Sequence, residues 1–291
     1  MGIGVVQSII KLLIWRPDVV FTKGGFVCLP VGFAAHLLDI PLVIHDSDAH
    51  PGLTNRILAR WASAIATGAP LEHYPYDPKK SQYVGIPVDS RFTPLTAAQQ
   101  ASAKKEWGVD PTQPLIVVTG GGLGAKRIND VIVGNVSKLL KLGSVVLVSG
   151  AGQYDELQDE LPDDDPRFQL HAFVTDMPSL LGAADVVVAR AGATTILELS
   201  ALRKPTILIP NAKLTGGHQL KNAAVYTAKN AVVVVNEEEM EDRPKVLIDA
   251  IAELLDNPAT ARKMADRFHT FRRPDAAHKM AELILAARRV S

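Results

Sequence analysis

The chain has 291 residues, 47% of them hydrophobic, and its 31 basic side chains balance 31 acidic ones. This length favours two domains over one, and the neutral balance argues against a general nucleic-acid binder. The single cysteine, Cys28, excludes an internal disulfide and a cysteine-based metal cluster. No stretch is as long and apolar as a transmembrane helix, and the first residues lack the basic region and cleavage site of a signal peptide.

The first half of the chain alternates helices with short β-branched strands. In chain order the first predicted elements are a helix over 3–15 ended by Arg16 and Pro17, a strand at 18–22, a turn at 23–26, a helix containing Pro30, a strand at 40–45 and a polar loop at 46–52. An amphipathic helix over 53–67 follows, with Leu53, Ile57, Leu58, Trp61 and Ile65 on one face, although its last residues, SAIAT, also begin a strand-like run. The last elements of this half are a strand and a turn at 83–92. Residues 93–113 mix turn signals with a short helix and mark a domain boundary. Three or four strands are few for a Rossmann-type half, so this domain is either small or lacks its first part.

The second half alternates strands and helices more regularly. The predicted strands are LIVVT, SVVLVSGAG, FQLHAF, DVVVAR and TILIP, and two helices end the chain. This alternation predicts a doubly wound parallel sheet.

Residues 185–222 contain two turns that follow neighbouring strands and lead into helices. In an open α/β sheet such turns line the ligand crevice, and helix N-termini favour anions. Thr195 and Glu198 have the spacing of a capping box. Glu198 is therefore either the capping acid or a carboxylate that accepts hydrogen bonds from a ribose. The polar residues of the second turn either cap its helix or bind sugar hydroxyls; they are His218, Gln219 and Asn222.

The segment VVTGGGLGAKR at 117–127 places a glycine loop between a strand and a helix. Its glycines and the charges of Lys126 and Arg127 suit a phosphate cradle, although a tight turn without ligand has the same pattern. The loop also matches the dinucleotide fingerprint, but the next strand ends at Ser149 without the acid that NAD binding needs. It lacks the Gly-Lys-Ser/Thr ending of a P-loop.

Three features of the first half have both a functional and a structural interpretation. His45 and Asp46 close a strand, where they supply a catalytic base or only stabilise a turn. Gly24 and Gly25 allow close approach of a ligand or only shape the chain. The apolar helix 3–15 is core or, with Lys11 and Arg16 beside Trp15, an interfacial membrane helix.

Four separated blocks, in this order, resemble the MurG family of bacterial glycosyltransferases. They are KGGFVCLPVGFAAHLLDIPLVIHDSDAHPGLTNRILAR, YVGIPV, VTGGGLGAKRIND and RAGATTILELSALRKPTILIPNAKLTGGHQLKNA. The resemblance implies an α/β fold of the GT-B class, two doubly wound Rossmann-like domains facing a cleft. It implies an acceptor and membrane-side domain over 1–92, a UDP-sugar domain over 93–274 and a last helix over 275–291 that packs back on the first domain.

The resemblance also implies the reaction. In this family N-acetylglucosamine moves with inversion from UDP-N-acetylglucosamine (UDP-GlcNAc) to the 4-hydroxyl of the MurNAc-pentapeptide of undecaprenyl-pyrophosphoryl-MurNAc-pentapeptide (lipid I), giving lipid II for peptidoglycan. The implied protein is peripheral, at the cytoplasmic face of the cell membrane. No cofactor and no metal is implied, because backbone N–H groups and helix ends meet the charge of the leaving UDP.

The resemblance assigns roles residue by residue. The positions that match donor-binding residues are Gly121, Gly122, Gly124, Ala125, Val174, Gly192, Ala193, Thr194, Glu198, His218, Gln219 and Asn222. The positions that match acceptor-side motifs are Gly24, Gly25, Asn55 and the proposed catalytic residues His45 and Asp46. The apolar membrane patch of the family is matched by Ile9, Ile10, Leu12, Leu13 and Trp15.

The chain departs from the family pattern at several points. Asp89 follows Val88 where the family has an arginine, for which Arg91 is the nearest substitute, and His218 replaces a glutamine. The family's opening strand and glycine-rich loop have no counterpart. We expect a truncated sequence, or a split enzyme whose partner chain supplies that part. Other functions left open are a non-catalytic donor-binding subunit, a UDP-GlcNAc 2-epimerase and a diacylglycerol glycosyltransferase.

Overall fold

The computed structural model of the chain describes residues 2–122, 124–161, 165–213 and 215–289. The chain forms two compact units. Unit 1 comprises Met1–Val88 together with Arg273–Ser291, and unit 2 comprises Asp89–Arg272. Each unit is built from a parallel sheet with helices.

The sheet of unit 1 has four parallel strands in the order β1-β2-β3-β4. The strands are β1 (Val20–Thr22), β2 (Leu42–Asp46), β3 (Ala64–Thr67) and β4 (Ser81–Tyr83). The helices are α1 (Gly2–Trp15), α2 (Cys28–Leu37), α3 (Leu53–Leu58) and, from the end of the chain, α14 (Ala276–Ala287). Every residue of β2 is buried, as expected for a strand with neighbours on both sides.

The core of unit 1 has two parts. In the first, the side chains of α1, α2 and α3 pack on the sheet around Leu12, Ile44 and Leu58. In the second, Ala276 and Met280 of α14 pack against Ala66 and Val84. The carboxyl-terminal helix is thus part of the core of unit 1.

The sheet of unit 2 has six parallel strands in the order β10-β9-β8-β5-β6-β7. The strands are β5 (Leu115–Thr119), β6 (Ser144–Val148), β7 (Phe168–His171), β8 (Val186–Ala189), β9 (Thr206–Leu208) and β10 (Val233–Val234). The predicted doubly wound parallel sheet is therefore confirmed. Because β5 lies between β6 and β8, the direction of winding reverses at the β5/β8 pair, which is the topological switch point.

Ten helices of the described residues cover this sheet or connect its strands. They are α4 (Ala97–Glu106), α5 (Lys126–Val133), α6 (Val136–Leu139), α7 (Tyr154–Glu160), α8 (Met177–Ala183), α9 (Ala193–Leu202), α10 (His218–Thr227), α11 (Glu237–Asp242), α12 (Lys245–Asp256) and α13 (Pro258–His269). The core lies between the β-branched strands and the apolar faces of helices such as α5 and α12, around Ile128, Val188 and Ile251.

Three local predictions from the sequence are wrong. The helix that begins at Leu53 ends at Leu58, and Ile65 lies in β3, where pairing on both sides outweighs the helical periodicity. The capping box is also absent, because α9 begins at Ala193 with Gly192 as its N-cap. Thr195 is therefore inside the helix. The strand predicted from residue 83 lies instead at Ser81–Tyr83.

Candidate functional site

Three neighbouring strands of unit 2, β9, β8 and β5, are each followed by a helix. The N-cap residues of these helices are Gly217, Gly192 and Ala125, and in the described structure no side chain caps any of the three. The first N–H groups of a helix have no partner inside the helix and carry its positive dipole end. The carboxyl edge of the sheet at the switch point therefore presents three helix N-termini, which suit a diphosphate.

The glycine loop after β5 has the geometry of a backbone cradle. A Cβ atom at Gly124 would overlap the carbonyl oxygen of Ser149, so the loop closes only with glycine there. Gly121 has φ +80°, a left-handed conformation that favours glycine. Cβ atoms at Gly121 and Gly122 would meet nothing within 4 Å, so the backbone of these two residues faces open space.

The cations that follow this loop are held by carboxylates. Lys126 Nζ lies 2.9 Å from Glu156 Oε1, and Arg127 lies 2.8 Å from Glu241 Oε2. Their predicted role as phosphate-binding charges is not supported by these positions. The backbone of the loop, rather than the side chains after it, has the geometry that suits an anion.

Polar side chains of α10 hold neighbouring backbone segments through hydrogen bonds. Asn222, which is 2% exposed, donates from Nδ2 to the carbonyl of Ala191 at 3.1 Å. Gln219 Oε1 accepts a hydrogen bond from the backbone N–H of Asn211 at 2.9 Å. Two predicted sugar ligands thus hold backbone segments in place. His218 begins the helix, with its imidazole beside Gly216.

Sequence reasoning missed a buried ion network behind the same turns. Glu237 on α11 is 4% exposed and forms an ion pair with Arg190, the residue after β8. Arg190 also donates to the carbonyl of Ile209 at 3.1 Å, and Arg127 Nη1 lies 3.6 Å from Glu237 Oε2. The network connects the carboxyl ends of β8 and β9 with α5 and α11. The acid lies 47 residues from Arg190 in the chain, so no local motif could reveal it.

Glu198 lies in the second turn of α9 and is half-buried. Among the described residues it has no hydrogen-bond or ion-pair partner, so its capping interpretation is wrong. Burial raises the pKa of this carboxyl, and the nearby charge of Asp89 raises it further. A half-buried carboxylate without a partner suits a hydroxyl-rich ligand such as a ribose.

Arg91 lies beside the loop that follows β7. Its guanidinium pairs with Asp89 at 2.9 Å and with Asp176 at 3.4 Å. Val174, two residues before Asp176, is 6% exposed. The substitution of Arg91 for the family arginine stays a prediction, but its position near Asp89 and Val174 is consistent with it.

In unit 1 the predicted catalytic histidine is part of the core. His45 is 0% exposed, and its Nε2 lies 3.0 Å from the carbonyl oxygen of Gly85. Burial lowers the pKa of His45 to about 4, opposed by the Gly85 hydrogen bond and reinforced by the charge of Lys23. The imidazole is therefore neutral at pH 7 and is held in place by the backbone.

Asp46 and Asn55 form a second buried pair beside His45. Asn55 Nδ2 donates to Asp46 Oδ1 at 2.7 Å and to the carbonyl of His45 at 3.0 Å. Tyr76, which sequence reasoning missed, donates from its hydroxyl to Asp46 Oδ2. Burial raises the pKa of Asp46 although these hydrogen bonds oppose the shift. A Cβ atom at Gly24 would lie 3.1 Å from Asn55 Nδ2, so the predicted acceptor-side residues meet around Asn55. Gly25, the next residue, has open space at the position of a Cβ atom.

The predicted membrane patch divides between core and surface. Leu12 is 7% exposed and belongs to the core, and Ile9 packs against it, so these two residues are not part of an exposed patch. The exposed apolar side chains of α1 are Ile3, Val6, Ile10, Leu13, Ile14 and Trp15. Among the described residues no helix is long and apolar enough to cross a membrane. No group of three or more potential metal ligands occurs in the same part of the chain.

Comparison with protein families gives two matches. Residues 115–280 match the glycosyltransferase family 28 C-terminal domain, and residues 1–67 match the glycosyltransferase family 28 N-terminal domain. The first match starts with β5 and contains the three helix N-termini of unit 2.

Curated relatives carry the name UDP-N-acetylglucosamine--N-acetylmuramyl-(pentapeptide) pyrophosphoryl-undecaprenol N-acetylglucosamine transferase. The protein from Exiguobacterium sp. is 34% identical over 93% of this chain and 74% of its own length. The protein from Bacillus licheniformis is 34% identical over 97% of this chain and 76% of its own length. The chain thus spans about three quarters of the length of these relatives.

Solved structures show the same fold. Acinetobacter baumannii MurG superposes with a TM-score of 0.77 at 24% identity, covering 97% of this chain and 77% of that protein. The UDP-GlcNAc 2-epimerase of Neisseria meningitidis, solved with UDP-GlcNAc, gives a TM-score of 0.67 at 15% identity, covering 97% and 80%. The GT-B fold class, with two Rossmann-like units, is confirmed.

Proposed function

Because this chain belongs to glycosyltransferase family 28, among the undecaprenol N-acetylglucosamine transferases, we propose that it moves N-acetylglucosamine from UDP-GlcNAc to lipid I. The product is lipid II. The observation that carries the proposal is the set of three uncapped helix N-termini after β5, β8 and β9, at the switch point of unit 2. A nucleoside diphosphate is the ligand class that this arrangement favours.

The donor is assigned to unit 2. The diphosphate accepts hydrogen bonds from the backbone of two turns, whose residues are Gly121, Gly122, Gly124 and Ala125 in the first and Gly192, Ala193 and Thr194 in the second. Glu198 accepts hydrogen bonds from the ribose hydroxyls, and the backbone at Val174 meets the uracil. His218 and Gln219 lie on the sugar side. Asn222 acts indirectly, since it holds Ala191 at the entrance of the second turn.

The transfer is a single displacement. The acceptor 4-hydroxyl oxygen forms a bond to the anomeric carbon while the bond to the UDP oxygen breaks, and the hydroxyl proton passes to a base. The negative charge that develops on UDP is met by backbone N–H groups and helix dipoles, which need no reorganisation during the reaction.

The acceptor is assigned to unit 1, where Gly24, Gly25 and Asn55 meet. The catalytic role of His45 and Asp46 stays a prediction. Both side chains are buried and hydrogen-bonded, which suits residues that position Asn55 and the glycine turn.

We assign the protein to the cytoplasmic face of the cell membrane, as a peripheral protein. The support is the exposed stripe of Ile3, Val6, Ile10, Leu13 and Ile14 along α1. An apolar helix face of this kind lies in a membrane interface with its axis in the plane. We also propose that a partner chain supplies further acceptor-side residues.

The donor assignment is tested by calorimetric titration of the full chain with UDP-GlcNAc, UDP-glucose and UDP. We expect UDP-GlcNAc to bind most tightly and Glu198→Ala to weaken it at least tenfold. The control Glu253→Ala removes an exposed carboxylate of the same unit and leaves affinity unchanged. Absence of nucleotide binding to a folded chain contradicts the proposal.

A further inference from the structure

Unit 2 has a pocket of about 500 Å³ at the end of the sheet opposite the donor site. It lies where β5, β8 and β9 begin, and the five residues of β5 span about 16 Å at 3.3 Å per residue. We call it the lysine pocket; its charged lining residues are Lys104, Asp185, Arg203, Lys204 and Arg262, and Gln100 lies beside them. None of them belongs to the donor site.

Lys204 is the central group of the lysine pocket. It is 6% exposed, and among the described residues its ammonium has one hydrogen-bond acceptor, the carbonyl oxygen of Ala184 at 2.8 Å. That carbonyl also accepts from Gln100 Nε2 at 3.0 Å, so Lys204 shares it. An ammonium has three donors, and a buried one without enough acceptors is costly. Burial lowers the pKa of Lys204 to about 8.

The carboxylate of Asp185 opposes the lowering of the Lys204 pKa, but its hydrogen bonds and its ion pair go to other groups. Asp185 pairs with Lys104 Nζ at 2.6 Å and accepts from the backbone N–H of Leu115 at 2.8 Å and from Gln100 Nε2 at 3.0 Å. Lys104, itself 5% exposed, has a second acceptor in the carbonyl of Gln113 at 2.7 Å. Lys104 therefore has two acceptors for its ammonium group, whereas Lys204 has one among the described residues.

The rest of the lining adds positive charge and an apolar wall. Arg203 and Arg262 lie at the rim, with Asp266 paired to Arg203. The wall includes Leu95 and Pro205. Cationic side chains outnumber the single carboxylate of the lining, so the pocket selects anions. Its volume lies in the range of small-molecule sites and exceeds that of a bare oxyanion.

We propose that the lysine pocket binds a small phosphate-bearing metabolite, with Lys204 Nζ and the rim arginine Arg262 donating to the phosphate. Lysine ammonium groups bind phosphate as point charges. The bound anion supplies the acceptors that Lys204 lacks, and its remaining atoms lie against the apolar wall. This site is additional to the donor site and does not depend on the proposed transferase activity.

The test is calorimetric titration of the full chain, with saturating UDP present, using inorganic phosphate and glucose 6-phosphate as probes. We expect one saturable site, weakened at least tenfold by Lys204→Gln and about threefold or more by Arg262→Gln. Arg262 is exposed, so we expect Arg262→Gln to fold. This variant therefore still tests the pocket if Lys204→Gln does not fold. Affinity should fall above pH 8, where Lys204 loses its proton.

Two controls separate this site from others. Lys229→Gln removes an exposed lysine of the same unit and should leave binding unchanged. Glu198→Ala should affect UDP-GlcNAc but neither probe. Tighter binding of glucose 6-phosphate than of phosphate identifies an organic ligand, and equal binding identifies the free anion. No saturable binding to a folded chain, binding indifferent to both pocket variants, or competition with UDP would overturn the proposal.

Discussion

Glu237 forms a buried ion pair with Arg190, and the pair joins α11 to the residue that follows β8. Side-chain exposures of 4% for Glu237 and 11% for Arg190 leave little solvent to screen the interaction. Arg190 also donates a hydrogen bond to the carbonyl of Ile209, so a movement of Arg190 would also disturb the end of β9. The position of the turn that follows β8 therefore depends on an acid that lies 47 residues away in the chain.

The first prediction concerns Glu237→Gln. Removing the carboxylate leaves Arg190 buried without its countercharge, which costs about 3 kcal/mol of unfolding free energy. This should lower the Tm by roughly 6–12 °C, as for a unit of this size, and weaken UDP-GlcNAc binding. Thermal unfolding and calorimetry measure the two effects. Glu239→Gln, which removes an exposed partner of Arg243, should change stability by under about 1 kcal/mol. Equal losses in both variants would contradict a special role for the buried pair.

The second prediction concerns pH and His45. Its folded-state pKa of about 4 lies below the unfolded value of 6.5, so the unfolded chain binds the proton first as pH falls. The stability contribution is complete above pH 6.5 and is lost progressively toward pH 4, by about 2 kcal/mol at pH 5. Denaturant unfolding at pH 5 and 7.5 measures it.

The variant His45→Gln should remove this dependence, and His278→Gln, on an exposed helix face, should keep it. Asp46 acts in the opposite direction, because its raised pKa makes the folded state gain stability as pH falls through that value. A slope that persists unchanged in His45→Gln assigns the dependence to other groups.

The third prediction concerns the glycine loop. Gly124→Ala places a methyl group on the carbonyl of Ser149, at a residue with φ +75°, so the loop must shift. We expect at least a tenfold loss of UDP-GlcNAc affinity in calorimetry. Gly152→Ala is the matched control, because a Cβ atom there meets nothing within 4 Å. Normal affinity in Gly124→Ala would show that the loop does not bind the donor.

The fourth prediction separates the two faces of α1. Ile10→Asp changes a residue that is 52% exposed, so it should reduce sedimentation with anionic lipid vesicles and leave stability nearly unchanged. Leu12→Ala should keep vesicle binding and cost about 2–5 kcal/mol of stability, since Leu12 is in the core. Vesicle binding that survives Ile10→Asp and Leu13→Asp together would exclude the membrane assignment.

The sequence predicted the parts of the fold whose signals are local. The β-branched strands 115–119 and 186–189 and the glycine turns after them were visible in the sequence, because buried parallel strands and close backbone approaches restrict residue types strongly. Helix 53–65 was mispredicted, because strand pairing of Ala64–Thr67 is decided by neighbours distant in the chain.

The candidate site was predictable where it is made of backbone and less so where side chains support it. Turn glycines and Glu198 follow from motif spacing. The hydrogen bonds of Tyr76 to Asp46 and of Glu237 to Arg190 connect residues 30 and 47 positions apart, with no periodic pattern between them. Burial also decides what polar side chains contact. The polar side chains of Asn222 and His45 suggest ligand contacts in the sequence, but in the structure both are hydrogen-bonded to backbone carbonyls.

The core of unit 1 is discontinuous in the chain, since α14 completes it from residues 276–287. During synthesis the ribosome therefore releases the whole of unit 2 before the helix that covers Ala66 and Val84 exists. Domains fold largely as units as they emerge. Unit 2 can reach its native state while part of the sheet of unit 1 is still uncovered, and the core of unit 1 is completed only when residues 276–287 are available.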